Sequence, residues 1–181
     1  MSQATDINSG KEIAAALSAE VMQVVEWASQ LSQEKFFESI DNKWSTGEQI
    51  EHLRKSSSPL AKALAKPKFI LRIVVGKANR PSRSYEEVAN KYKLKLGVQS
   101  IPRNRFYPDI DKKMSMKIVL DRYLATSEKL VKVMAKWHES ELDHYILPHP
   151  LLGKLTVREM LFFTIYHTQH HFKSIKSLYL K

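Results

Sequence analysis

TVREMLFFTIYHTQHHFKSIKSLYL, residues 156–180, is the stretch on which the fold turns. Met160, Thr164, His167, His171, Ser174 and Leu178 recur at three- and four-residue steps, so on a helix they share one face. Thr156 followed three residues later by Glu159 reads as a capping box, which satisfies the first free amides and sets where the helix starts. The run is too long and too periodic for a strand.

Three more segments upstream carry the same period. Ile13, Leu17, Val21, Val24, Ala28 and Leu31 mark a first helix over about residues 10–32, with Ser9 and Gly10 at its start and a polar break over 39–43. A second begins after Trp44 with another capping box, Ser45 and Glu48, and continues through Ile50, Leu53, Leu60 and Leu64. Pro59 is expected to kink it or restart it at Ser58. Met116, Val119, Tyr123, Leu130, Met134 and Trp137 define a third helix over about 114–138. Between the second and third lies an irregular region, 77–113, with Pro67, Pro81, Pro102 and Pro108 in or near it and a short amphipathic helix expected at 84–96. Residues 68–76 are apolar enough for a strand, but helical neighbours favour a helix. ILPHPLLGKL, just before residue 156, reads as a loop.

The architecture this predicts is all-α: one four-helix-bundle domain over residues 1–181. About a dozen residues join helices one and two, which suits antiparallel neighbours. Nearly forty join helices two and three, enough to bring the chain back and set those two parallel.

Composition narrows the chemistry. With no cysteine there is no disulfide, no thiolate metal site and no cysteine nucleophile. The low count of 5 glycines fits helices better than turn-rich β structure. No apolar run reaches the ~18 residues of a membrane span, and MSQATDINSGKEIAAAL lacks the basic start and apolar stretch of a secretory signal. A cytoplasmic protein is expected. The net charge of +10 is spread along the chain, densest over 62–83 and 91–117, without a tight basic block. A solvated basic surface accounts for it better than a dedicated nucleic-acid face.

The histidines carry the functional signal. His167 and His171 lie four apart on the core-facing stripe, so their Cβ atoms stand about 5–6 Å apart and two imidazoles can converge on one ion. His170 falls on a more mixed face with Glu159, Phe163, Tyr166 and Lys173. His52 sits beside Leu53 near the core stripe of the second helix, one turn after Glu48, which is a candidate acceptor for its second nitrogen as well as a helix cap. His144, His149 and Tyr107 lie in loops that can overhang this region, with nothing to rank them. Core histidines held only by hydrogen bonds, with no metal, are the alternative reading.

WSTGEQIEHL at 44–53 and HPLLGKLTVREMLFFTIYHTQHHFKSI at 149–175 resemble the two signatures of the DinB/YfiT-like superfamily. The resemblance implies a four-helix bundle of up-down-down-up course and a metal held by His52, His167 and His171. It also implies a metal-dependent hydrolase or a transferase that uses a low-molecular-weight thiol, acting on an unidentified small molecule, and a homodimer. Relatives often follow the last histidine with polar residues, where this chain has Phe172, Lys173 and Ser174. Three neutral imidazoles suit zinc or nickel better than magnesium or calcium, and three protein ligands leave a position for water or substrate. A non-enzymatic stress-response or binding module braced by a structural metal is the second reading.

Overall fold

The structure, a computed structural model, describes residues 7–74, 76–96 and 104–180. Pro102 and the first six residues of the chain lie outside them. Among the described residues the fold is mostly helical, with one small antiparallel hairpin. In chain order the elements are α1 (Gly10–Ala28), α2 (Gln33–Phe37), α3 (Thr46–Leu64), α4 (Lys68–Val74), α5 (Tyr85–Leu96), α6 (Met116–Met134), α7 (Glu139–His144), β1 (Ile146–His149), β2 (Gly153–Thr156) and α8 (Val157–Ser177).

The helices start where side chains can hold their free amides. Capping boxes open α1 at Ser9 and Glu12, α3 at Ser45 and Glu48, and α8 at Thr156 and Glu159, while Ser115 caps α6. The apolar stripes then face one core, in which Ile13, Leu17 and Val24 of α1, Ile50 and Leu53 of α3, Tyr123 and Leu130 of α6, and Leu161, Ile165 and Ile175 of α8 are almost fully buried. The 68–76 stretch is helical through Val74, and the short helix expected at 84–96 is α5.

Five features depart from the sequence reading. The first helix stops at Ala28, and Ser32 caps the separate α2, whose Phe36 and Phe37 are buried against the start of α3. Gly47 makes that approach close: a Cβ there would stand 2.7 Å from the Phe36 ring. Second, α3 runs unbroken through Pro59. A proline inside a helix costs about 3 kcal/mol, but Leu60 and Leu64 beyond it are both buried, and each contributes about 1.5–3 kcal/mol. Third, α1 packs mainly on α6 and α8, and α3 also on α6 and α8, so the first two long helices are not side-by-side neighbours. The α2 turn carries the chain across between them.

The fourth departure is the hairpin, where a loop is expected. Ile146 pairs with Thr156, Leu147 with Leu155, Pro148 with Lys154 and His149 with Gly153. Gly153 turns the chain with φ +77, a conformation that favours glycine. Leu147, Leu152 and Leu155 bury the hairpin on the core. The third helix likewise ends at Met134 rather than near 138; Trp137 sits in the turn beyond, and its indole N–H donates to Leu64 O at 3.1 Å, tying the ends of α3 and α6 together.

Candidate metal centre

His52 comes from the second turn of α3, and His167 and His171 come from adjacent turns of α8. Their ring centroids form a nearly equilateral triangle with sides of 5.0, 4.9 and 4.7 Å. One ring nitrogen of each lies within 4.8 Å of the corresponding atoms of the other two, a cluster that could hold a metal ion. His167 and His171 are more than nine-tenths buried, His52 somewhat less.

Hydrogen bonds outside the triangle fix which nitrogens face inward. His52 Nδ1 lies 2.8 Å from the Phe106 carbonyl oxygen. A carbonyl only accepts, so the proton is on Nδ1 and the Nε2 lone pair is free. His171 Nδ1 lies 3.1 Å from Gln49 Oε1. The orientation of that amide is set because Gln49 Nε2 donates to Trp44 O at 3.2 Å, so His171 too is protonated at Nδ1 and presents Nε2. Across the site, His52 Nε2 and His167 Nε2 approach to 3.2 Å. Two nitrogen ligands bound at about 2.05 Å to one tetrahedral ion stand ~3.3 Å apart. The spacing of this pair matches, while the ligand atoms of all three residues lie within 4.8 Å of one another.

The surroundings keep these imidazoles neutral, the form that binds metal. Burial pushes His167 well below the ordinary histidine value, reinforced first by His171 and then by His52. Burial does the same to His171, with His52 adding to it. His52 is also lowered, mainly by burial, while its bond to Phe106 works the other way. Trp44 closes one side, with its ring 5.1 Å from His52 and stacked on His171 at 6.4 Å. Lys55 holds the 104–110 segment over α3 by donating to Tyr107 O at 2.9 Å, which keeps Phe106 O in reach of His52.

On the other side His52 and His167 line a cavity of about 430 Å³. Leu60 of α3, Met160 and Phe163 of α8 and Leu151 of the hairpin supply apolar wall. His149 reaches this cavity from β1. Tyr107 packs on Trp44 at 5.6 Å, and His144 packs on Tyr145 at 5.4 Å. His170 stands outside the triangle, 5.9 Å from the Tyr92 ring.

Two roles come out differently from the sequence reading. Glu48 accepts from the Ser45 N–H at 2.8 Å as a cap, and the acceptor for His52 is the Phe106 carbonyl instead. Gln49, the acceptor for His171, goes unnoticed in the sequence, although its place three residues before His52 puts it on the same helix face. The apolar replacement Phe172 lies away from the cluster, its ring 6.2 Å from Trp27 with Lys176 Nζ 4.2 Å above it.

No curated protein matches the chain, and no solved structure does. The sequence profile of the DinB superfamily matches residues 11–175. That span takes in both histidine-bearing stretches and nearly every described element, and the chain therefore belongs to the DinB superfamily.

Proposed function

We propose that His52, His167 and His171 are the ligands of one divalent transition-metal ion, zinc or nickel, and that the chain is a metal-dependent enzyme, either a hydrolase or a transferase using a thiol. The 3.2 Å approach of His52 Nε2 to His167 Nε2 carries this reading. With Nδ1 protons committed to Phe106 and Gln49, the inner face of the cluster gathers lone pairs, and a cation is what such a face attracts. A divalent ion there would supply a Lewis acid that lowers the pKa of a water or thiol at its open position.

The chain's own residues do the rest. Phe106 O and Gln49 hold two of the imidazoles in orientation. Trp44 excludes water from one side, while the cavity beside His52 and His167 admits a substrate from the other. That cavity favours chemistry over a purely bracing metal.

The scaffold proposed is a four-helix bundle of α1, α3, α6 and α8 in one cytoplasmic domain over residues 1–181, with an up-down-down-up course. Contacts at both ends support it. Arg158 at the start of α8 donates to Asn8 O before α1, and Trp27 at the end of α1 meets Phe172, so α1 and α8 run the same way. Thr46 meets Tyr179 and His52 meets His167, so α3 runs against α8; Trp137 after α6 meets Leu64 at the end of α3.

Cobalt substitution tests the functional reading. The visible spectrum of the Co(II) protein is expected to change on adding 2-mercaptoethanol or azide, because a coordination position is open. A spectrum indifferent to both would mark a closed, bracing site and contradict the enzyme reading.

A further inference from the structure

The cavity beside the three histidines, about 430 Å³, is of a size that holds a small organic ligand. Leu60, Leu147, Leu151, Met160 and Phe163 give it broad apolar walls. Some of the polar groups on its lining are already engaged: the Thr164 hydroxyl donates to Met160 O at 2.8 Å, and Asn104 Oδ1 accepts from the Phe106 N–H at 2.8 Å. Ser56, Tyr92 and Arg105 also line it, so a ligand with a polar group on a mainly apolar body suits this wall.

His149 is arranged differently. Its Nδ1 accepts the N–H groups of Leu151 at 3.1 Å and Leu152 at 3.0 Å, which closes the tip of the hairpin. An atom accepting two N–H bonds carries no proton, so the ring proton is on Nε2. Nε2 makes no hydrogen bond among the described residues, and no buried side-chain nitrogen or oxygen among them lacks a partner, so this N–H is accessible, on a residue that lines the cavity. The ring is held in place by the edge of Phe163 at 4.2 Å, and Phe163 in turn stacks on His167 at 5.0 Å. A ligand contacting His149 is thus one aromatic ring away from the histidine cluster. Burial, with Lys91 adding to it, pushes His149 down to about 4, so the ring stays neutral and keeps this donor near neutral pH.

We propose that the cavity binds a carbonyl compound with an acyl or aryl body, whose apolar part lies against Leu60, Met160 and Phe163 and whose carbonyl oxygen accepts from His149 Nε2–H. His149 is then a positioning residue that selects for the carbonyl. This names the substrate class of the proposed metal site and rests on that reading for its chemistry, while the binding itself is measurable without turnover.

Calorimetric titration of the metal-loaded protein with 4-phenyl-2-butanone and with butylbenzene tests it. Both are expected to bind, the ketone more tightly. His149→Asn places an amide oxygen where Nδ1 accepts, preserving the turn, but removes the outer N–H. It is expected to weaken the ketone about 2–10-fold, the worth of one hydrogen bond, and to leave butylbenzene unchanged. Ala63→Phe, which fills the cavity from α3, is expected to abolish both. Metal content should be the same in all three proteins. Failure of both probes to bind wild-type protein with full metal would overturn the proposal, as would a His149→Asn effect that is absent or equal for both. Loss of metal from wild-type protein would instead count against the metal site, and the same titration on metal-free protein would still decide the cavity.

Discussion

His52 and His167, 115 residues apart in sequence, bring their Nε2 atoms to within 3.2 Å of each other. Such a contact between neutral imidazoles needs either a proton on His167 Nε2 or a cation between them. The Nδ1 protons of His52 and His171 turn both Nε2 lone pairs toward the cluster, the arrangement that the proposed metal ion requires. The supporting shell can therefore be tested separately from the ligands.

Gln49→Leu removes the acceptor for His171 Nδ1 while keeping the side chain's approximate volume in a buried place. Orienting partners of this kind are typically worth about 10–100-fold in metal affinity. A chelator competition should register a loss in that range with helical content unchanged. Unaltered affinity would mean that Gln49 only packs.

The metal-free protein should lose stability on acidification. His149, His167 and His171 all have folded values below the unfolded value of about 6.5. As pH falls below that, the unfolded chain takes up protons before the folded one does, so stability is full above about 6.5 and declines as pH drops toward the folded values. For His149, lowered to about 4, the loss by pH 5 is about 2 kcal/mol. Urea unfolding at pH 7.5 and pH 5.0 measures it, and a midpoint that holds or rises at pH 5.0 would contradict the account.

Glu159 ties the segment after α4 to the start of α8. Its side chain is fully buried, with Arg80 donating at 2.6 and 2.8 Å and the Arg83 and Thr156 N–H groups at 2.8 and 2.9 Å. Burial works to raise its pKa, but these hydrogen bonds, Arg80 foremost, carry it below the ordinary value. Glu159→Ala is expected to cost about 3 kcal/mol, at the low end for a broken buried pair because Arg80 and Arg83 are each about a third exposed. Thermal unfolding should report a correspondingly lower midpoint.

Gly47→Ala opposes two effects. Alanine is better than glycine in a helix by about 1 kcal/mol, yet its Cβ would meet the buried Phe36 and Phe37 rings at 2.7 and 3.0 Å. Overpacking of that kind costs about 1–3 kcal/mol, so the variant should be less stable than wild type. A gain in stability would show that α2 yields freely.

Much of this was legible in the sequence because long amphipathic helices repeat their signal many times. The stripes through Ile13, Ile50, Val119 and Met160, and the capping boxes at Ser45 and Thr156, locate the four long helices. Elements of four to six residues are too short for a period to register, so α2, α7 and the hairpin went unseen, and with the hairpin the setting of His149. The histidine cluster could be read from spacing, from the place of His52 and from resemblance. Its partner Phe106 could not, because a backbone carbonyl leaves no mark in residue type. Pro59 misled because local propensity was outweighed by the burial of Leu60 and Leu64.

The most direct measurement is metal content per chain after dialysis against nickel or zinc, for wild type and for the single alanine variants of His52, His167, His171 and His170. One ion per chain is expected in wild type and in His170→Ala, and close to none when any member of the triangle is removed. One firmly bound ion in folded His52→Ala protein would mean that α3 contributes no ligand, and the proposed centre would be wrong.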